Sequence, residues 1–300
     1  MNPILKYLSG DTRRLGVVLE TRNDSDAIPE DLDIFFDVPY TGASGNSLHA
    51  DIYRQKNKSH LPVIIMIHGG GLFLGETRSS RPIAEYYARQ GYLTAVISYR
   101  LLQEANGIFI ISDVLCGYDF IFEHIGEYGG DCSNVFVTGE SAGAFLAIMA
   151  NAVSNSKKLS ETLELKPSEL KTRAMAFFSG MIYTNRLDFL GLIYRHDLYG
   201  DKTKNRAFLK LINPEENEIM DKMPPILMST SDGDFLKKYS FDYDLALRRN
   251  NKMTELVYYP DKDLVHAFPI VSYSREQSRE VHRKVIEFFN RNLSLCRDLC

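Results

Sequence analysis

One serine stands between two glycines in a setting that suits nucleophilic chemistry. Residues 135–143 have the sequence VFVTGESAG, so an apolar run typical of a strand precedes Gly139-Glu140-Ser141-Ala142-Gly143, and an Ala-rich run typical of a helix follows. A tight turn from strand to helix exposes a serine hydroxyl, and the helix N-terminus favours a developing anion there. The pattern predicts that Ser141 is a nucleophile, although a glycine-bracketed turn with an idle serine would have the same five residues.

A serine hydroxyl becomes a good nucleophile when a neighbouring imidazole takes its proton. Three histidines follow Ser141 in the chain: His196, His266 and His282. His196 lies in a long insertion away from the predicted strand ends, and His282 lies inside the last predicted helix, where we expect it to be solvated. His266 lies in a short loop after the last predicted strand, from which an imidazole can reach the serine. We therefore predict that His266 is the general base.

A carboxylate must orient that imidazole. Asp232 and Asp234 both lie in the loop after the penultimate predicted strand, and Asp234 directly precedes the next helix. We favour Asp234 as the acid and keep Asp232 as the alternative, since the other aspartate would serve as a turn or N-cap residue. Asp261 and Asp263 are weaker candidates, because the acid is expected one strand before His266.

Three consecutive glycines, Gly69–Gly71, follow His68 and the apolar run 62–67. The amides of such a loop can converge on the negative oxygen of a tetrahedral intermediate, which is worth ~3–4 kcal/mol per donor. The amide of Ala142, directly after the serine, would add another donor. A phosphate-binding loop is the alternative, but it needs a Lys-Ser/Thr pair that residues 72–75 do not provide. His68 itself is expected to be structural.

The predicted elements would bring these distant segments together. Eight β-branched or aromatic runs are predicted to be strands and five amphipathic stretches to be helices. The strands are 34–38, 48–53, 63–67, 93–98, 135–138, 174–178, 226–229 and 255–259, and the helices are 80–90, 112–124, 142–154, 236–250 and 275–292. This alternation predicts an α/β fold with a mostly parallel sheet, and its first two strands should be antiparallel because no helix separates them.

Two segments fall outside this alternation, at about 1–33 and about 181–223. We predict that both form a cap over the carboxyl edge of the sheet, where ligands bind in open α/β folds. The 300 residues contain no repeat and no linker rich in Pro, Gly or Ser, so a single domain is expected.

Composition and charge restrict the partners. The net charge is −4 and the pI is about 6.0, which argues against nucleic acid as the main partner. The apolar runs are too short to span a membrane, and the first 15 residues do not resemble a signal peptide, so we expect a cytoplasmic protein without a membrane partner. Cys116 is expected to be a buried free thiol, and Cys296 and Cys300 lack the partners that a metal site would need. The sequence leaves open whether the protein forms a homodimer.

Four motifs in order resemble the hormone-sensitive-lipase-like branch of the α/β-hydrolases, which includes many bacterial carboxylesterases and acetyl esterases. They are His68-Gly-Gly-Gly, Gly139-Glu-Ser-Ala-Gly143, Asp234-Phe-Leu and His266-Ala-Phe. The resemblance extends from about residue 35 to 290 and implies an eight-stranded sheet, a helical cap and no metal or organic cofactor. It also implies that Asp234 is the acid. One departure is Ala267, where the family usually has glycine.

The same resemblance implies that the amides of Gly70, Gly71 and Ala142 bind the oxyanion, with Gly69 as a further candidate. We therefore expect a serine hydrolase that cleaves small, short-chain acyl esters through an acyl-enzyme. A deacetylase or amidase would use the same three side chains, and a non-catalytic binding protein on this fold would usually have lost the serine or the histidine. Four aromatic residues of the predicted cap would line an acyl pocket or form the cap core: Tyr183, Phe189, Tyr194 and Tyr199.

Overall fold

Eight strands form one sheet in the computed structural model, which describes residues 28–293. Their order across the sheet is β1-β2-β4-β3-β5-β6-β7-β8, with β2 antiparallel to β1 and β4 and every other neighbouring pair parallel. The strands are β1 Leu32–Thr41, β2 Ser47–Gln55, β3 Leu61–Ile67, β4 Leu93–Ile97, β5 Gly130–Glu140, β6 Thr172–Phe178, β7 Ile226–Ser231 and β8 Thr254–Tyr259. The predicted α/β class and the antiparallel start are therefore confirmed.

Helices cover both faces of this sheet. They are α1 Arg81–Arg89, α2 Gly107–His124, α3 Ala142–Asn155, α4 Lys157–Leu163, α5 Phe189–Tyr199, α6 Arg206–Leu211, α7 Asn217–Met220, α8 Lys237–Arg249, α9 Phe268–Val271 and α10 Glu276–Arg291. One apolar cluster joins α2, α3 and α8 to one face, and a second joins α1 and α10 to the other. Since both faces are covered, central strands such as β4 are buried at every residue and almost continuously apolar.

The eight strands and the five predicted helices, α1, α2, α3, α8 and α10, lie where the hydrophobic patterns predicted them, with ends that differ by a few residues. The insertion between β6 and β7 contains the short helices α5, α6 and α7. Residues 1–27 of the predicted N-terminal cap segment lie outside the described residues, and β1 begins at Leu32, inside the predicted segment. No helix in the described part of the chain is long and apolar enough to cross a membrane. The cytoplasmic location stays a prediction.

This topology places the chemistry-bearing loops at one edge. Parallel strands end at the same side of a sheet, so the segments that follow β3, β5, β6, β7 and β8 meet there. The glycine loop follows β3, Ser141 follows β5, Asp234 follows β7 and His266 follows β8.

Candidate active site

Ser141 occupies a strained turn between β5 and α3. Its backbone has φ 49° and ψ −112°, a conformation that an L-residue adopts only when its surroundings enforce it. The flanking glycines are required by space, because a Cβ on Gly139 would lie 2.6 Å from the nitrogen of Ala144 and one on Gly143 would lie 2.1 Å from the oxygen of Ile67. The Gly-x-Ser-x-Gly pattern therefore reflects close packing of the turn against β3 and α3.

Three side chains from separate loops form a continuous hydrogen-bonded chain. His266 Nε2 lies 2.9 Å from Ser141 Oγ, and His266 Nδ1 lies 2.7 Å from Asp234 Oδ1. A carboxylate can only accept, so the proton on Nδ1 is assigned by this contact and Nε2 is left to accept from the serine hydroxyl. Ser141 is 7% exposed. This arrangement can withdraw a proton from the serine.

The surroundings of Asp234 keep its carboxylate charged. Burial by itself would raise the pKa of Asp234, but the hydrogen bonds from His266, the Thr230 hydroxyl and the Leu236 amide hold that pKa below its ordinary value. The alternative acid, Asp232, bonds instead to Lys237 and to the exposed Tyr258. The structure therefore brings Asp234 to His266 and leaves Asp232 in a separate ion pair.

The remaining candidate histidines are far less suited to proton transfer. The side chain of His196 is 73% exposed on α5. The prediction that His282 is solvated is wrong: it is fully buried, its Nδ1 lies 2.7 Å from the Tyr87 hydroxyl and its Nε2 lies 2.9 Å from the carbonyl oxygen of Pro269. Burial lowers the pKa of His282 to about 4. The charged neighbours Glu280 and Arg283 gave no sign of this burial, because they point to another face of the helix.

His68 has the structural setting expected for it. Its ring stacks on Tyr99 at a centroid distance of 4.2 Å, and burial lowers its pKa to about 4. The Tyr99 hydroxyl donates to the carbonyl oxygen of His68 at 2.7 Å. This contact holds the start of the glycine loop in place.

The glycine loop presents two unpaired amides. Gly70 and Gly71 have φ 95° and 62°, which glycine adopts without strain. Within residues 28–293 no group accepts a hydrogen bond from either amide. The amide of Ala142, the first residue of α3, has no acceptor within its own helix. The amide of Gly69 donates to Glu140 Oε2 at 2.8 Å, so this further candidate is already occupied.

Glu140 is a functional candidate that the sequence reasoning missed. It is the residue directly before the serine in the Gly-x-Ser-x-Gly pattern, and its carboxylate accepts a hydrogen bond from the Gly69 amide. Burial raises the pKa of Glu140, while the nearby His266 and the Gly69 amide act in the opposite direction. No local pattern could identify this contact, because its partner is 71 residues away in the chain.

Ser179 was also missed, and it links the serine turn to the histidine loop. It directly follows β6, is fully buried and has φ 51°. Its Oγ accepts from the Ala267 amide at 2.9 Å, next to His266. On either side of it, the Phe178 carbonyl accepts from the Ser141 amide at 2.9 Å and the Met181 amide donates to the Ser141 carbonyl at 2.8 Å. One short segment thus contacts the backbone of both loops.

The four aromatic residues of the insertion have different environments. Tyr183 and Tyr199 are buried in the insertion, with their hydroxyls bonded to Glu215 and Thr184. Phe189 is 65% exposed. Tyr194 is buried, and its hydroxyl lies against Gly71, because a Cβ built on that glycine would be 2.6 Å from the hydroxyl oxygen. Tyr194 therefore reaches the glycine loop.

Metal ligands and thiols do not gather at this site. The part of the chain that the structure describes has no group of three His, Cys, Asp or Glu side chains that could hold a metal ion. Cys116 is a free thiol, both Cys116 and Cys132 are partly buried, and burial raises the pKa of Cys116. Cys296 and Cys300 lie outside the described residues.

A mostly parallel eight-stranded sheet with a serine at a strained turn after its fifth strand is the architecture of the α/β-hydrolase fold. The chain belongs to the BD-FAE family, one of the α/β-hydrolase families, whose family model matches residues 50–241. The resemblance that the four motifs carry is therefore confirmed at the level of the α/β-hydrolases.

Two relatives place the chain among proteins named as ester hydrolases. The probable isoprenylcysteine alpha-carbonyl methylesterase ICMEL1 of Arabidopsis thaliana is 24% identical over 226 residues, which is 71% of this chain and 47% of that protein. The probable carboxylic ester hydrolase LipM of Mycobacterium tuberculosis is 29% identical over 155 residues, which is 50% of this chain and 35% of that protein. The chain spans less than half the length of either relative.

Solved structures share the fold. Esterase B from Lactobacillus rhamnosis superposes with a TM-score of 0.78 at 20% identity, covering 96% of this chain and 92% of that one. A bacterial heroin esterase superposes with a TM-score of 0.69 at 20% identity, covering 90% of this chain and 87% of that one. At this identity the likeness concerns the fold, and the chemistry is argued from the residues of this chain.

Proposed function

We propose that this protein is a serine esterase that hydrolyses short-chain carboxylic esters through an acyl-enzyme. The observation that carries the proposal is the hydrogen-bonded chain from Asp234 through His266 to Ser141, which lies at the same edge of the sheet as the unpaired amides of Gly70 and Gly71. A nucleophile, a base, an orienting carboxylate and donors for a developing negative charge are the parts that acyl transfer needs. The names of the relatives and structural neighbours support an ester as the substrate class.

The first half-reaction forms the acyl-enzyme. Ser141 Oγ attacks the ester carbonyl carbon while His266 Nε2 takes the hydroxyl proton, and Asp234 stabilises the imidazolium that results. The negative oxygen of the tetrahedral intermediate accepts hydrogen bonds from the amides of Gly70, Gly71 and Ala142. His266 then gives its proton to the leaving alcohol oxygen as the carbon–oxygen bond breaks, and the acyl group remains on Ser141.

The second half-reaction returns the free enzyme. His266 takes a proton from water as the water oxygen attacks the acyl carbon, and the same amides bind the second oxyanion. The bond to Ser141 Oγ then breaks, and His266 returns the proton to that oxygen. The chain, the ester and one water molecule are enough to balance these steps.

The insertion at about 181–223 acts as a cap over this edge of the sheet. The contact of Tyr194 with Gly71 supports this role, because it brings helix α5 against the glycine loop. Ser141 is 7% exposed and Tyr194 is 4% exposed, and such a confined setting favours short acyl chains. The cap role predicted for about 1–33 belongs to the same proposal, although residues 1–27 lie outside the described part of the chain.

A fluorophosphonate probe tests the nucleophile directly. We expect one adduct by intact mass, located on Ser141 by peptide mapping, and no adduct on the Ser141→Ala variant. The matched control is Ser133→Ala, which removes an exposed serine and should be labelled normally. Labelling of a different serine, or no labelling of the folded protein, would contradict the proposal.

Turnover on chromogenic esters tests the reaction class. A series of p-nitrophenyl esters of increasing chain length should show the highest kcat/KM for short acyl chains, and Ser141→Ala should lower turnover by ~10⁶-fold. Acetylated sugars and an aryl formamide measured beside them separate an esterase from a deacetylase or an amidase. Near-normal ester hydrolysis by folded Ser141→Ala protein would refute the assignment.

A further inference from the structure

Helix α5 is held firmly above the glycine loop. At its start, Asp188 accepts from the Gly191 amide at 2.9 Å and from the Tyr239 hydroxyl at 2.6 Å, which ties this end to α8. Near its end it packs closely on α2, because a Cβ on Gly107 would lie 2.5 Å from the Cα of Leu198. Tyr194 lies between these two anchored ends, so its position is set by the packing of the whole helix.

The hydroxyl of Tyr194 differs from those of three neighbouring tyrosines, which have partners, and from that of Tyr243, which has no partner in the described part of the chain but is fully enclosed. Tyr183, Tyr199 and Tyr239 are buried in the same region, and each hydroxyl has a side-chain partner: Glu215, Thr184 and Asp188. The residue Tyr194 is equally buried at 4% exposure, but its hydroxyl has no hydrogen-bond partner anywhere between residues 28 and 293.

That hydroxyl is directed towards accessible space beside Gly71. Eight polar side-chain atoms in the described part of the chain are both enclosed and unpaired, and the Tyr194 oxygen is not among them. It lies against the α-carbon of Gly71, whose amide is also unpaired. A side-chain donor and a backbone donor, neither with a protein acceptor in the described part of the chain, thus lie next to each other at Gly71.

We propose that the Tyr194 hydroxyl donates a hydrogen bond to the carbonyl oxygen of the acyl substrate, on the Gly71 side of the oxyanion site. This inference rests on the proposed esterase function and deepens it, because it adds a side-chain donor from the cap to the backbone donors of the loop. The hydroxyl is a fit donor, since burial raises the pKa of Tyr194 and keeps its proton in place.

A hydrogen bond to an oxyanion is stronger than one to a neutral carbonyl, so this donor contributes most in the tetrahedral intermediate. The cap therefore takes part in the chemistry as well as covering the site. It also follows that only substrates whose carbonyl reaches Gly71 beneath α5 benefit from Tyr194.

The Tyr194→Phe variant tests this role, because it removes one oxygen atom and keeps the ring. We expect kcat on p-nitrophenyl acetate to fall by about 10- to 100-fold, towards the loss seen when one oxyanion donor is removed. KM should change by less than about threefold, because the lost interaction belongs to the transition state. Rates are expressed per active site, counted by phosphonate titration, so that an imperfectly folded fraction does not affect them.

Tyr199→Phe is the matched control, since it removes a hydroxyl from the same helix that bonds to Thr184 within the insertion. It should keep kcat within about twofold. An unchanged kcat in Tyr194→Phe, an equal loss in both variants, or a loss confined to KM would overturn the inference. If Ser141→Ala stays active, the esterase proposal itself fails; if Ser141→Ala is inactive and Tyr194→Phe is normal, only the role of Tyr194 fails.

Discussion

Replacing Asp234 by asparagine tests how the orienting carboxylate acts. Its Oδ1 accepts from His266 Nδ1 at 2.7 Å and from the Leu236 amide at 2.9 Å, while its Oδ2 accepts from the Thr230 hydroxyl at 2.7 Å. A backbone amide can only donate, whereas a hydroxyl can rotate and accept. In Asp234→Asn the amide oxygen should therefore stay at the Oδ1 position, and the NH₂ group should face Thr230. The imidazole then keeps its proton on Nδ1.

The expected loss follows from this orientation. In a serine protease where the same substitution produces the wrong tautomer of the histidine, kcat falls by about 10⁴-fold. Here the tautomer is preserved and only the charge is lost. Two unit charges about 4 Å apart attract by about 4 kcal/mol at an effective dielectric constant of 20, which bounds the loss at about 10³-fold. The smaller difference between a charge-assisted and a neutral hydrogen bond, about 1–1.5 kcal/mol, gives a lower limit of about 10-fold.

We therefore expect kcat/KM of Asp234→Asn on p-nitrophenyl acetate to fall by about 10²-fold, between those limits. Asp234→Ala removes the acceptor of all three donors and should lose about 10⁴-fold. Asp232→Asn is the matched control and should be nearly normal, since Asp232 bonds to Lys237 instead of the imidazole. Equal losses in Asp234→Asn and Asp234→Ala, at 10⁴-fold or more, would refute the orientation argument.

Three further predictions concern residues around the proposed site. Ser179→Ala leaves the buried Ala267 amide without its acceptor, so the free energy of unfolding should fall by about 1–3 kcal/mol in denaturant titrations, and kcat should fall more than KM changes. Glu140→Gln keeps an acceptor for the Gly69 amide but removes a charge whose burial raises the pKa, so the variant should melt at a higher temperature at pH 7 and react severalfold more slowly. His282 has its pKa lowered from 6.5 to about 4, so the unfolded chain binds its proton more readily, and about 3 kcal/mol of stability should be lost as the pH falls from 6.5 to 4. His282→Gln should reduce the slope of the free energy of unfolding against pH in that range.

Each of these has an outcome that contradicts it. Normal stability in Ser179→Ala would mean that water replaces the lost acceptor. The gain from Glu140→Gln should shrink below pH 4.5, where the carboxyl is protonated in both the folded and the unfolded chain; a gain that persists there would have another cause. An unchanged pH slope in His282→Gln would assign the acid sensitivity to other groups, of which the buried His68 is the first to test.

Periodic patterns account for the success of the fold prediction. Strands with two buried faces, such as β3 and β4, are almost continuous apolar runs, and the apolar residues of the helices between the strands repeat at about 3.6 residues. His282, which was wrongly predicted to be solvated, also belongs to a periodic pattern. Ser278, Val281, His282, Val285 and Phe289 are buried on one face of α10, at helical spacing. Position 282 belongs to that face, and its charged neighbours in sequence do not.

The contacts that were missed depend on tertiary structure. Glu140 meets Gly69 because β5 and β3 are adjacent in the sheet, although β4 lies between them in the chain. Ser179 meets Ala267 across 88 residues. A serine directly after β6, beside the end of β5, could have been recognised as a neighbour of Ser141, but its bond to the histidine loop depends on a backbone conformation that the sequence does not reveal.

That conformation explains how the site holds its geometry. Ser141, Ser179 and Ala267 all have positive φ, at 49°, 51° and 58°, and each such residue costs of order 1–3 kcal/mol. They are also linked to one another: the segment of Ser179 bonds to both backbone groups of Ser141, and its hydroxyl accepts from Ala267. Relaxing any one of the three would break a bond to another, so each strained residue is held by the others. Ser141 and Ala267, which directly follows His266, are two of these three linked residues. The 2.9 Å contact between the serine and the imidazole therefore depends on all three.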